Sequence, residues 1–251
     1  MKALRWVVAA VLLVHLGLAR AETPGMLGDD RYAPLIYTQG TKAAGVLPAV
    51  LERVAQLTGD RYEIRLAPWK RAYALAAAGE GGLIGVSYTA ERGKVFDFSK
   101  PFYDDDIQVV TRDDRTFAFS KLTDLQGKLI GGVNGASYGE EVDQAIAKGL
   151  LKVERDVGQS GRLRKVLAGR LDAALVGNGQ AGLNAIVASD RELSAQRQRF
   201  VILPTPLARD PLHVAFAKSM GKTDAIQRFD AAIAKLKKSG ELQRIVSAAA
   251  D

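Results

Sequence analysis

Apolar and polar positions along the chain switch repeatedly between a helical and an extended period. Leu47, Val50, Leu51, Val54 and Leu57 recur at helical spacing, with Pro48 tolerated in the first turn and Gly59 as a stop. Residues 62–66 then read as a strand, and residues 68–78 as a helix closed by Gly79. Residues 83–86 form an apolar run too short for a helix, which predicts a buried strand. A first strand is expected at residues 35–37 and another at 107–111, before a polar stretch over 112–121. The same alternation follows. Strands are predicted at 128–133, 153–157, 171–176 and 200–203, with helices from about Tyr138 to Lys148, after an N-cap at Ser160, and over 180–189. Residues 212–217 form a last strand. Ile226, Phe229, Ile233 and Leu236 mark a long helix capped by Thr223, and Leu242, Ile245 and Val246 a final one. Strands alternating with helices predict an α/β fold, as two lobes or as one doubly wound domain.

The N-terminus is of a different kind. Lys2 and Arg5 precede an apolar run over 6–18 that is short for a bilayer span, and Ala19-Arg20-Ala21 offers a small-x-small cleavage site. Residues 1–21 therefore read as a cleavable signal peptide, with Glu22 as the mature N-terminus and the periplasm as destination. The absence of a cysteine after the apolar run excludes a lipoprotein anchor. Removing Lys2, Arg5 and Arg20 from the net +7 leaves +4, with no basic run dense enough to follow a phosphate backbone, so no nucleic acid is expected. The chain has no cysteine, and His213 is the single histidine after the leader. Thiol chemistry and a His- or Cys-rich zinc site are thereby excluded, and neither metal nor cofactor is expected. His213 sits in an alternating strand pattern and reads as structural.

Candidate chemistry concentrates in one stretch. The strand at 83–86 ends in Ser87-Tyr88-Thr89, and Arg92, whose fork can grip a carboxylate with two parallel hydrogen bonds, follows at once. Phe98-Ser99-Lys100-Pro101-Phe102-Tyr103 then sets an extended aromatic turn. Ligands of open α/β sheets sit beyond the carboxyl ends of strands, so this reads as half of an anion site. Gly135-Ala136-Ser137 before a predicted helix could supply free N–H groups to an anion, or Ser137 could simply cap the helix.

The pattern S-x-T-x-x-R followed by F-S-x-P-F-Y resembles the family 3 extracellular solute-binding proteins. So do Thr123-Asp124-Leu125-Gln126-Gly127-Lys128, Gly135-Ala136-Ser137-Tyr138, Gly169-Arg170-Leu171-Asp172-Ala173 and Leu236-Lys237-Lys238-Ser239-Gly240-Glu241-Leu242, in the same order. The resemblance implies a two-lobe periplasmic-binding-protein fold of type II, with a ligand cleft between lobes joined by a two-strand hinge. Lobe one would comprise 22–110 and 209–251, and lobe two 111–208. The implied function is capture of a small polar, amino-acid-like carboxylate for the membrane permease of an ABC importer, by a monomer and without catalysis. An enzyme on the same scaffold, similar to the cyclohexadienyl dehydratases, and a sensor for a membrane signalling protein are the alternatives.

Carried over residue by residue, Arg92 would hold the ligand carboxylate with Ser87 and Thr89 beside it. Ser137 and Tyr138 would close from lobe two, and Trp69, Tyr37 and Tyr88 would form aromatic walls. Members that bind α-amino acids often carry an Asp for the ligand ammonium where this chain has Gly177, followed by Asn178, an acceptor without counter-charge. The expectation is that Gly177→Asp would improve affinity for simple amino acids. Asp104-Asp105-Asp106 could lend one carboxylate to that ammonium, though the run reads first as a solvated loop, and Asp29 and Asp30 before the first strand are a second such source.

Overall fold

The computed structural model describes residues 25–250, so the expected leader lies outside the described residues. In chain order the first half contains β1 (Met26–Asp29), β2 (Arg31–Tyr32), β3 (Ile36–Gln39), β4 (Lys42–Ala44), α1 (Val46–Thr58), β5 (Ile64–Ala67), α2 (Trp69–Ala77), β6 (Gly82–Ser87), α3 (Ala90–Val95), β7 (Phe96–Phe98) and β8 (Tyr103–Arg112). Then come β9 (Leu129–Val133), α4 (Glu140–Ala147), β10 (Lys152–Asp156), α5 (Gln159–Leu167), β11 (Ala173–Val176), α6 (Gly179–Ala188), α7 (Arg191–Ala195) and β12 (Phe200–Ile202). The chain returns through β13 (Ala208–Ala217) and closes with α8 (Thr223–Lys238) and α9 (Glu241–Ala250).

One continuous sheet orders its strands β10-β9-β11-β8-β13-β6-β1-β5, with β12 on β8 and β7 on β13, and β2, β3 and β4 make a small separate sheet. The two long strands in the middle join the halves. The first part of β8 pairs antiparallel with β13, and its second part pairs with β11 and β12. The second part of β13 pairs with β6 and β7.

Buried side chains separate on either side of this junction. Met26, Leu47, Val50, Val54, Phe229 and Ile233 share one core, in which α1 and α8 bury their apolar stripes against the sheet. Leu27, Trp69, Ala72, Leu83 and Phe96 fill the opposite face beneath α2. Val109, Ile130, Val142 and Leu175 make one core of the other lobe, and Val110, Leu163, Val166 and Ile186 its second. Two lobes joined by a pair of strands result.

Local chemistry explains most boundaries. Gly59 ends α1 at φ 77, a left-handed conformation that suits glycine. Three helix starts differ from the sequence reading. Gly139, at φ 92, precedes α4, so Ser137 and Tyr138 lie in the loop ahead of it. Gly158 rather than Ser160 precedes α5, and Lys222 rather than Thr223 precedes α8. The strand expected at 107–111 begins at Tyr103, because pairing with β13 extends it. No described helix is long and apolar enough to cross a membrane.

Candidate functional site

A narrow, part-enclosed cavity opens where the two lobes meet the paired strands. Ser87 reaches it from the end of β6, Trp69 from the first turn of α2, and Ser137 and Tyr138 from the loop before α4. Tyr32, Ile36 and Ile84 add apolar surface from one lobe, and Val133, Ala136 and Leu175 from the other.

Arg92 lies just behind this wall. It is 8% exposed, in the first turn of α3, with its guanidinium carbon 5.8 Å from the Trp69 ring centre and 5.4 Å from that of Tyr73. Nη1 donates to the Ser87 carbonyl at 2.9 Å, and Nη2 to the Gly135 carbonyl of the other lobe at 3.3 Å. The Trp69 indole donates to that same carbonyl at 3.1 Å. Arg92 is thus drawn into the protein rather than facing water, as a solvated loop would place it. Burial lowers its pKa, and no carboxylate among the described residues lies within ion-pair distance of it.

Other candidates have local tasks. Thr89 caps α3, its hydroxyl accepting from the Arg92 N–H at 3.2 Å. Tyr88 points out of the cleft, 56% exposed, its ring 5.2 Å edge-on to Phe98, because side chains alternate past the strand end. Tyr37 borders a separate groove with Arg31 and Gly158, and Tyr32 takes the aromatic place in the cavity. Asn178 sits in the left-handed region at φ 60 and accepts from the Tyr103 hydroxyl, bracing the cavity floor rather than lining it. Tyr138 does line the cavity, but its hydroxyl accepts from the Val133 N–H at 2.6 Å, and the Ser137 hydroxyl donates to Asp143. His213 is buried in β13 with Nδ1 2.7 Å from the Ser99 carbonyl, away from the cavity.

Among the acids, the solvated-loop reading fails, the alternative of a carboxylate lent to the cleft fits, and Asp210 was not anticipated. Asp104-Asp105-Asp106 is not a solvated loop. It is the start of β8, where strict alternation turns Asp105 inward at 1% exposure and leaves Asp104 outside. Asp105 accepts from the Tyr32 hydroxyl and the Asn178 N–H. Directly opposite on β13 stands Asp210, 7% exposed, which accepts from the Ser87 hydroxyl at 2.5 Å. Asp29, at the end of β1, completes the trio and accepts from the Arg31 N–H at 3.0 Å. Burial pushes Asp29 and Asp105 up to about 6 and Asp210 to about 7, and in each the neighbouring acids add to the rise. Alternation within the Asp run could have flagged Asp105. Nothing local marks Asp210.

Gly177 is the sharpest departure from expectation. A Cβ there would lie 1.7 Å from the Tyr32 hydroxyl and 2.8 Å from the Asp105 carboxylate. An aspartate at this position would require Tyr32 to move aside and would stand against the Asp105 carboxylate, so the gain expected of Gly177→Asp is opposed here by a clash and a like charge.

Two lobes on a two-strand junction, with a part-enclosed cavity of polar and aromatic residues between them, define a cleft-type solute-binding protein. The chain belongs to the bacterial extracellular solute-binding proteins, family 3, whose sequence profile matches residues 26–248. It is 26% identical to the probable amino-acid-binding protein YxeM of Bacillus subtilis (strain 168), over 98% of this chain and 94% of that one. The arginine-binding extracellular protein ArtP of the same organism is 24% identical, over 85% of this chain and 80% of its own. Among solved structures, a histidine kinase sensor domain with similarity to periplasmic binding proteins shares the fold at a TM-score of 0.76 and 22% identity, covering 90% of this chain and 95% of that domain.

Proposed function

We propose that this protein captures a small amino-acid-like solute in the interlobe cavity and presents it to the membrane permease of an ABC importer, acting in the periplasm after removal of residues 1–21. The observation that carries this reading is Arg92, a buried guanidinium with no acid partner among the described residues, set one side chain behind the cavity wall. A desolvated charge without a counter-ion is costly, and a ligand carboxylate arriving beside Ser87 would relieve that cost. The Gly135 carbonyl takes an acceptor position between Trp69 and Arg92. At 3.3 Å its contact with Arg92 is longer than the 2.7–2.9 Å typical of a charge-assisted bond, so a carboxylate oxygen could take its place. Nothing in this role requires chemistry on the solute.

A calorimetric and thermal-shift screen of amino acids, amines and small carboxylates tests the reading. A bound solute at 100 times its Kd should add about 2.7 kcal/mol of stability. No binding by any of them, with the chain folded, would refute solute capture. Mass spectrometry of the exported protein should place its N-terminus at Glu22, and a retained leader would refute the cleavage site.

A further inference from the structure

The cavity is markedly acidic for one that would receive a carboxylate. Asp29, Asp105 and Asp210 line it, and Arg162 is the only cationic residue among its lining residues. Arg162 is already spent. It is 1% exposed, donates to both carboxylate oxygens of Asp156 at 3.1 and 2.9 Å, and reaches the Leu175 carbonyl at 2.6 Å. Asp210, more than nine-tenths buried, has one oxygen bound to the Ser87 hydroxyl and a second with no hydrogen-bond partner among the described residues. Among the described residues no Lys, Arg or His lies within ion-pair distance of Asp105 or Asp210.

The two aspartates are cross-strand partners in the β8–β13 ladder. Opposed residues on an antiparallel pair hold their Cβ atoms roughly 5 Å apart, and like charges so placed destabilise each other. A cation between them removes that penalty. Among the described residues no group of three or more acids, histidines or cysteines is arranged to hold a metal ion, so an organic cation suits the place better.

Resting on the solute-capture reading above, we propose that the ammonium group of the solute docks on Asp210 and Asp105. The strands joining the lobes thereby supply the acid that position 177, a glycine packed under Tyr32, lacks. Ser87 ties the two ends of the site together. Its carbonyl holds Arg92 and its hydroxyl holds Asp210, so a carboxylate and an ammonium on one carbon would meet them side by side. Asp29 adds a third acid to the lining of the same cavity. The solute is therefore net cationic, an amino acid or amine with a second protonated nitrogen.

Isothermal titration at pH 8 with L-arginine, L-lysine, L-ornithine and putrescine against L-glutamine and L-glutamate decides the ligand class. The cationic compounds should bind tightest, with L-glutamate weakest. Asp210→Asn keeps the side-chain shape and should weaken the best ligand by about 30-fold, the loss expected of one charge-assisted hydrogen bond. Asp106→Asn, on the outward face of the same strand, should change it by less than about two-fold. Should Asp210→Asn fail to fold, Asp105→Asn carries the same comparison. Tighter capture of L-glutamate or L-glutamine than of the cations, or an Asp210→Asn or Asp105→Asn variant that binds like wild type, overturns this inference and leaves solute capture standing. No binding by any amino acid or amine overturns both.

Discussion

Gly177→Ala is the perturbation that separates a cleft-closing role for this position from a merely local one. The added methyl would lie 1.7 Å from Tyr32 Oη and 2.7 Å from its Cζ, far inside van der Waals contact. Tyr32 belongs to β2 and packs on the core that holds α1 and α8, whereas Gly177 follows β11 in the other lobe. The clash therefore acts between lobes and spares the core of each. Relief requires the phenol to swing away, which breaks its hydrogen bond to Asp105 and leaves that buried carboxylate with the Asn178 N–H. Losing a hydrogen bond to a charged group costs roughly 1.5–3 kcal/mol. Residual overpacking costs about 1–3 kcal/mol more. Together the approach of the lobes should be disfavoured by about 2.5–6 kcal/mol, and solute affinity should fall roughly 10²- to 10⁴-fold. Calorimetry with the solute found by screening measures this directly, and small-angle scattering should show less compaction on binding. Combining Gly177→Ala with Tyr32→Ala removes the obstacle, so the effect of Gly177→Ala should shrink strongly in that background. Equal effects in both backgrounds, or a Gly177→Ala Kd within about threefold of wild type, would refute the wedge.

Two further outcomes follow from the charges. Arg92→Ala should weaken solute binding by about 3–5 kcal/mol, with Arg92→Lys recovering only part because the planar fork is lost; unchanged Kd values would remove Arg92 from the site. Because Arg92 is buried and serves two main-chain carbonyls, Arg92→Ala should also lower Tm, contrary to an exposed arginine. The acid trio sets a pH dependence. Asp29, Asp105 and Asp210 have folded pKa values raised to about 6, 6 and 7, above the ordinary carboxylate value. Their stabilising protonated forms are complete below about pH 4 and lost as pH rises through 6 to 7. Without solute the protein should thus melt lower at pH 8 than at pH 5, with Asp210 alone contributing at most roughly 2.7 kcal/mol of the difference, its pKa of about 7 lying some 2 units above pH 5. Asp210→Asn should flatten the slope, and a Tm that rises between pH 5 and 8 would contradict the burial of these acids.

The sequence by itself determined whatever depends on neighbours within a few residues. Helical stripes such as Val50, Leu51 and Val54, the strand ending at Ser87, and the adjacency of Ser87 and Arg92 are all readable from spacing, because one turn or one strand end fixes them. The ordered motifs made the family legible for the same reason. Tertiary structure decided which face of each strand the cavity would use. Tyr37 and Tyr32 are equivalent as letters, yet only Tyr32 lines it. Asp105 became a buried acid and Asp104 an exposed one through the β8–β13 register, and that register pairs residues 105 and 210 across the joint between lobes. Pairing between strands so distant in sequence leaves no local trace. Its periodicity is two, so a shift of one residue would exchange every inward side chain for an outward one. The charge of the cavity therefore follows from strand pairing, while the candidate carboxylate site was already written in the strand end at Ser87 and the arginine five residues on.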